Sequence, residues 1–352
     1  MTKIAVVLFN LGGPDKPRAI PGFLRNLFSD PAIIQVPSFI RFFLARLIVA
    51  KRLKKAQALY GLLGGKSPIL ENTIKQANNL QNLLQQQKPG DDIKVFIAMR
   101  YWHPFSYETA KELERFAPEK IVELPLYPQY STTTTASSLR NWRKSTQKII
   151  NSHHIKTICC YPSLPGFVQA MAVSLQKLIQ QIEQIFPKIG YKILFSAHGL
   201  PQKIIENGDP YDTHIKETAQ SIAIATDLSP DQWQITYQSR VGPLQWLKPY
   251  TEEVIDHLGS EQKGIVVVPV SFVSEHSETL VELDIIYQER AKKAGAPFYY
   301  RLPTVSDNPI FINGLAEMVI NALNQQENCS EYRCPKTKKN CYHQTLGSMN
   351  KV

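Results

Sequence analysis

The chain is expected to be an α/β protein of two doubly wound parallel-sheet domains facing a central cleft, and three observations carry that expectation. Short uncharged runs rich in β-branched residues recur along its whole length, as interior parallel strands do. Helical patterns lie between these runs, and strand alternating with helix implies right-handed crossovers. At 352 residues the chain also exceeds what one core usually serves.

Ile4-Ala5-Val6-Val7-Leu8-Phe9 opens the first strand, over 4–11, and Gly12-Gly13-Pro14 after it marks a tight turn. Further strands are expected at 93–100, 121–127, 156–161, 192–197, 234–239, 264–272 and 298–302, with helices at 106–116, 166–186, 212–228, 251–258, 278–294 and 309–323. The domain boundary is expected near 150. This gives a first domain over 1–150, completed by the helix near 309–324, a second over 151–308, and a polar tail over 325–352. No fixed-period repeat is visible. Gly64-Gly65-Lys66-Ser67-Pro68 lacks the strand context of a phosphate loop. With neither GxGxxG nor GxxxxGK[ST] present, no nucleotide is expected.

Lysine and arginine outnumber acidic residues 40 to 30, a net charge of +10. Nucleic acid, an anionic membrane and an acidic small molecule would each suit that balance, and composition does not choose among them. Met1-Thr2-Lys3 runs directly into the first strand and no uncharged apolar run reaches about 18 residues, so an intracellular chain that does not span a membrane is expected. Residues 39–55 set Ile40, Phe43, Leu44, Leu47 and Ile48 at helical spacing among Arg41, Arg46, Lys51, Arg52, Lys54 and Lys55. Such a segment lies on an anionic bilayer or packs on its own domain, and the pattern suits both.

Two segments place ionisable residues just past apolar runs. Ser196-Ala197-His198-Gly199-Leu200-Pro201 follows Lys192-Ile193-Leu194-Phe195, and Ser271-Phe272-Val273-Ser274-Glu275-His276-Ser277-Glu278 follows the run 264–270. His198 and Glu278 are thus expected at carboxyl ends of strands, which border the ligand crevice of an open α/β sheet. Neutral imidazole, with an unperturbed pKa near 6.5, accepts a proton or ligates a metal. Glu282 at i+4 and Glu275 at i−3 extend a carboxylate stripe from Glu278, and no Lys or Arg interrupts 275–288. The competing reading is a pair of capped helix starts with a structural histidine. Cys329, Cys334 and Cys341 cluster in the tail and Cys159-Cys160 close an expected strand. In an intracellular chain this suggests metal rather than disulfides, with zinc or reduced thiols left open.

Five motifs taken together resemble the ferrochelatases over roughly residues 3–325: Asn10-Leu11-Gly12-Gly13-Pro14, Tyr127-Pro128-Gln129-Tyr130-Ser131, the His198 segment, Gln238-Ser239-Arg240-Val241-Gly242-Pro243 with Trp246-Leu247, and the Glu278 segment continued by Thr279-Leu280. The resemblance implies two Rossmann-like domains and insertion of ferrous iron into protoporphyrin IX, the last step of haem synthesis. It implies His198, Glu278 and His276 as catalytic residues, with the ferrous substrate met by His198 and Glu278. Glu275 and Glu282 would form a proton or metal path. Trp246 and Phe272 would line the porphyrin pocket, Arg100 and Tyr101 its opposite wall, and Leu11, Tyr130 and Ser131 would also touch substrate. Leu11 stands where family members carry apolar or oxygen-bearing residues, so no iron ligand is expected there. Tyr60-Gly61-Leu62-Leu63 stands where relatives often carry basic residues for the propionates, leaving Lys66 or Arg100 to substitute. Some family members hold a 2Fe-2S cluster on one internal and three C-terminal cysteines, an arrangement similar to Cys159 or Cys160 with Cys329, Cys334 and Cys341. A bacterial cytoplasmic enzyme is implied, as monomer or homodimer, with no nucleic-acid partner and with peripheral membrane contact as an option. A chelatase for another metal or for coproporphyrin III, and a non-catalytic haem or porphyrin carrier, remain the alternatives.

Overall fold

The structure is a computed structural model describing residues 1–147, 149 and 155–324. Its described residues divide into two compact units, one formed by residues up to Tyr161 with 315–324, the other by Pro162–Gly314.

The first unit runs β1 (Lys3–Asn10), α1 (Ile20–Phe28), α2 (Ser38–Gly61), α3 (Ile69–Gln87), β2 (Asp92–Met99), α4 (Ser106–Phe116), β3 (Lys120–Pro125), α5 (Thr135–Thr146) and β4 (Ile155–Thr157). Its four strands are parallel in the order β2-β1-β3-β4, with Val6 opposite both Val95 and Val122. The β1 run is uncharged because both faces of a parallel sheet are covered, and Ile4 through Asn10 are buried. Phe9 meets Trp142 of α5 edge to face at 5.6 Å. β4 pairs with β3, so the chain stays with this sheet past the expected boundary at 150. The Gly12 turn is a packing device. Gly12 has φ +80°, and a Cβ there would lie 3.1 Å from both Met99 Cβ and Trp102 N.

The second unit contains α6 (Pro165–Ile185), β5 (Tyr191–His198), α7 (Gln202–Glu206), α8 (Tyr211–Ala225), β6 (Trp233–Gln238), α9 (Thr251–Ser260), β7 (Gly264–Pro269), a π-helix (Glu278–Tyr287) continued by α10 (Gln288–Ala294), and β8 (Tyr299–Arg301). α11 (Pro309–Asn324) begins in this unit and ends in the first. The sheet order is β6-β5-β7-β8, again all parallel. Both sheets therefore share one winding, although no repeat is legible in the sequence. In each, the strand order reverses beside the unit's first strand, between β1 and β3 and between β5 and β7. Ligand crevices form at such switch points, outside the carboxyl ends of the strands.

The expected helix 278–294 departs from α geometry, since its first ten residues wind as a π-helix. Such helices bond i→i+5, usually occur as single-turn bulges, and concentrate at functional sites. α2 is two-faced. Ala45, Val49, Leu53, Ala56 and Tyr60 form an inner stripe, the last four in the cluster with Phe23 and Leu24 of α1. Phe39, Ile40, Phe42, Phe43 and Leu47 are exposed on the outside. Leu44 and Ile48, expected on one stripe with Ile40, Phe43 and Leu47, are half-buried. Among the described residues no helix is long and apolar enough to cross a membrane.

Candidate active site

The site is built at the switch point of the second sheet. The run Ile193–Ala197 is buried in the sheet interior, and His198 ends it. Backbone bonds fix the histidine on both sides, since His198 N donates to Ser271 Oγ at 3.0 Å and the Tyr211 hydroxyl donates to His198 O at 2.9 Å. The imidazole is set by its own neighbour. Nδ1 lies 2.6 Å from the Gly199 carbonyl, which only accepts, so Nδ1 carries the hydrogen. Nε2 is left facing Glu278 Oε1 at 3.6 Å. Trp246 stands beside this ring, centroids 6.4 Å apart, with its indole N–H donated to Val241 O at 3.1 Å. Residue 199 must be glycine for that approach. A Cβ there would lie 3.0 Å from Gln238 O and 3.2 Å from the Trp246 ring.

Glu278 begins the π-helix. The preceding turn is closed by Thr279 Oγ1, which accepts from His276 N and donates to His276 O, both at 3.0 Å. This buries His276, whose ring lies 4.6 Å from that of Phe272 and whose Nε2 is 3.1 Å from Glu278 Oε2. The carboxylate is therefore held between two imidazoles. Burial opposes its ionisation, but His198 and His276 outweigh that and hold the Glu278 carboxyl down to about 2. A lowered folded-state pKa stabilises the fold above the ordinary carboxylate value, and this contribution is lost as pH falls through about 2.

Glu282 has the opposite character. Burial raises its pKa, the Ser239 hydrogen bond works against this, and the charge of Glu278 adds to the rise. It accepts from Ser239 N at 2.9 Å, from Ser239 Oγ, from Gln238 Nε2 at 3.3 Å and from the Tyr287 hydroxyl at 3.0 Å. Ser239 reaches it from the left-handed region, at φ +65°, strain that is typical of functional sites. Two carboxyls with pKa values driven apart are the pattern of an acid–base pair.

Glu275 does not extend this stripe. Its carboxylate receives Arg301 Nη1 at 2.6 Å and Thr304 N at 2.9 Å, and Arg301 also grips Asp284 through Nε at 2.7 Å and Nη2 at 2.5 Å. Burial opposes ionisation of Glu275, and Arg301 leads the contacts that nevertheless lower its pKa. The absence of a cation between 275 and 288 misleads because the counter-ion arrives from β8.

In the first unit, Leu11, Arg100, Tyr101, Tyr130 and Ser131 all follow carboxyl ends of strands. Leu11 is partly buried against the α1 cluster. Arg100 donates through Nη2 to Asp30 Oδ2 at 2.6 Å and through Nε to Ser137 Oγ at 2.7 Å. Tyr101 is 1% exposed with its hydroxyl donated to the same Asp30 oxygen at 2.8 Å, so it braces Arg100 and offers no ring face to a ligand. Tyr130 and Ser131 are buried too, Ser131 Oγ lying 2.8 Å from Thr133 Oγ1. Lys66 is on the surface, paired with Glu71. Cys159 and Cys160 are buried in the cluster that contains Phe9 and Trp142, their sulfurs 3.7 Å apart. Cys329, Cys334 and Cys341 lie outside the described residues. Among the described residues no three His, Cys, Asp or Glu side chains gather as a metal cage.

Sequence reasoning passed over Tyr211, Tyr287 and Arg301, and quoted Gln238, Ser239 and Ser271 only as motif. Ser239 alone left a signal, ending a strand run two residues before Val241-Gly242-Pro243.

A His–Glu–His constellation thus stands at the switch point of an α/β sheet, beside the rings of Trp246 and Phe272, where groups able to exchange protons border a ligand crevice. The family model described as Ferrochelatase matches residues 3–323. Curated ferrochelatases are similar throughout. That of Phenylobacterium zucineum (strain HLK1) is 46% identical over 342 residues, covering 96% of this chain and 97% of its own. That of Caulobacter vibrioides (strain NA1000 / CB15N) is 49% identical over 318 residues, covering 90% and 89%. Among solved structures, SirB from Bacillus subtilis with Fe3+ has a TM-score of 0.49 and 12% identity, covering 92% of this chain and 96% of its own. The chain belongs to the ferrochelatase family.

Proposed function

We propose that the protein inserts ferrous iron into protoporphyrin IX to give protohaem. The observation that carries this reading is the His198 imidazole, whose Nδ1 is tied to Gly199 O while Nε2 faces an ionised Glu278. Insertion displaces two pyrrole N–H protons from the ring. His198 Nε2 accepts one, and the Glu278 carboxylate 3.6 Å away stabilises the imidazolium that results. Glu278, whose carboxylate meets His276 Nε2 at 3.1 Å, also meets the incoming ferrous substrate. Trp246 and Phe272 supply apolar surface for the ring, worth about 25 cal/mol for each Å² buried. The test is fluorimetric. Ferrous or zinc ion added to porphyrin with a catalytic amount of protein is expected to abolish free-porphyrin emission, whereas stoichiometric quenching identifies a carrier. Running protoporphyrin IX against coproporphyrin III decides the substrate.

The enzyme is further proposed to work in the bacterial cytoplasm against an anionic membrane, held by the outer face of α2. Support comes from Phe39, Phe42, Phe43 and Leu47, each more than half exposed, next to Arg46, Lys51, Lys54 and Lys55. Sedimentation with anionic vesicles is expected to show salt-sensitive binding that Phe43→Glu weakens. Binding unchanged in that variant counts against the attachment.

A 2Fe-2S cluster completes the proposal. Two buried sulfurs 3.7 Å apart offer an internal ligand of the soft kind that such clusters take, and Cys329, Cys334 and Cys341 would supply the rest. The cluster would tie the tail to the end of β4. Anaerobically purified protein is expected to be red-brown and Cys334→Ser to bleach it. Colourless wild-type protein from cluster-competent expression would end this part of the proposal.

A further inference from the structure

We propose that Tyr287 is a proton relay, carrying protons released at the His198–Glu278 site from Glu282 to Glu252 and so to solvent beside Arg240. The relay rests on the iron-insertion reading, which must dispose of two protons per turnover.

Tyr287 is 5% exposed and its hydroxyl stands between two carboxyls, 3.0 Å from Glu282 Oε1 and 3.2 Å from Glu252 Oε2. A phenol has one hydrogen to give. It therefore serves only one of these carboxyls at a time, and the other is matched only when it carries a proton of its own. Glu282 is the side suited to carry it. Its pKa is raised by burial, with the Ser239 hydrogen bond opposing and the charge of Glu278 adding, and Gln238 Nε2 joins its Oε2 at 3.3 Å to the Glu278 backbone carbonyl at 3.1 Å. Glu252 is the receiving side. Its other oxygen accepts Arg240 Nε at 2.6 Å, and Arg240 reaches Glu253 at 3.4 Å on the surface.

The transfer balances without a charged tyrosine. The Glu282 proton moves to the phenol oxygen as the phenol's own proton moves to Glu252, leaving Glu282 ionised, Tyr287 neutral and Glu252 protonated. Burial, with the charges of Glu282 and Glu252, pushes the Tyr287 pKa far above the ordinary phenol value, which disfavours any route through free tyrosinate. Glu252 then loosens its hold on Arg240, whose side chain is 43% exposed, and yields the proton to water. Rotation of the hydroxyl resets the relay.

The π-winding makes this contact. Glu282 and Tyr287 are five residues apart, the spacing that an i→i+5 helix brings into line. At 3.6 residues per turn the same spacing would set them about 140° apart around the axis.

Tyr287→Phe keeps the ring and cuts the wire. Steady-state assays with protoporphyrin and ferrous iron are expected to show kcat reduced by about tenfold or more, KM for porphyrin within about twofold, and a larger solvent deuterium isotope effect on kcat. Glu252→Gln cuts the wire at its Arg240 end and is expected to do the same. The double variant should be no slower than the slower single, as for two members of one chain. Wild-type kcat and isotope effect in either single variant would overturn the relay while wild-type turnover leaves the iron-insertion reading standing. A wild-type protein that turns over no porphyrin would overturn that reading itself.

Discussion

His198→Ala is expected to lower kcat by about 10² to 10⁴-fold while porphyrin still binds, because the substitution removes the proposed proton acceptor and leaves the aromatic surface. The fold should survive. His198 is held through its backbone, by Ser271 Oγ and the Tyr211 hydroxyl, and alanine keeps both bonds. Glu278→Gln is expected to give a comparable loss, since it keeps the shape but removes the charge that faces both imidazoles. Porphyrin fluorescence titration beside initial-rate assays separates binding from turnover. Near wild-type kcat in folded His198→Ala would remove the histidine from the mechanism.

Arg301→Gln is expected to produce the largest loss of stability, about 3–5 kcal/mol, the usual consequence of leaving one buried ion-pair partner uncompensated. The guanidinium side chain is 8% exposed and holds Glu275 and Asp284 together. Most of the cost falls on Glu275, because Asp284 is partly exposed and can turn to water once released. Glutamine offers one amide where the arginine has a fork, so it cannot serve both carboxylates. Urea unfolding followed by circular dichroism measures the difference, and a shift below about 1 kcal/mol would show the pairs to be individually weak. Arg301→Lys should fall between, keeping the charge but losing the bidentate grip on Asp284.

The layers of this fold were legible because parallel strands advertise themselves. Runs such as Ile265–Val268 are uncharged, β-branched and buried on both faces, the composition that interior parallel strands call for. His198 and Glu278 were legible for the same reason, as ionisable residues just beyond those runs. Strand order was not, because periodicity places a residue on a face without saying which strand lies alongside. The partner of Glu275 was hidden by sequence distance, since Arg301 comes from the last strand of its sheet. The two faces of α2 overlap in one stretch of sequence, so its inner stripe and its exposed phenylalanines could not be separated by spacing alone. Nothing in residues 278–287 marks a π-helix, because the wider winding is set by what the side chains reach and not by local propensity.

That winding makes chain length itself a functional quantity over these ten residues. Ile285 and Ile286 are well exposed, and loss of either would cost little buried area. Yet if the stretch relaxed to α geometry, Tyr287 would stand about 140° from Glu282 at full length and about 40° from it with one residue removed. Most surface positions tolerate substitution and resist few changes in spacing. Here spacing and winding are tied: many residues would be acceptable at 285 or 286, but one could be lost only together with the π-winding.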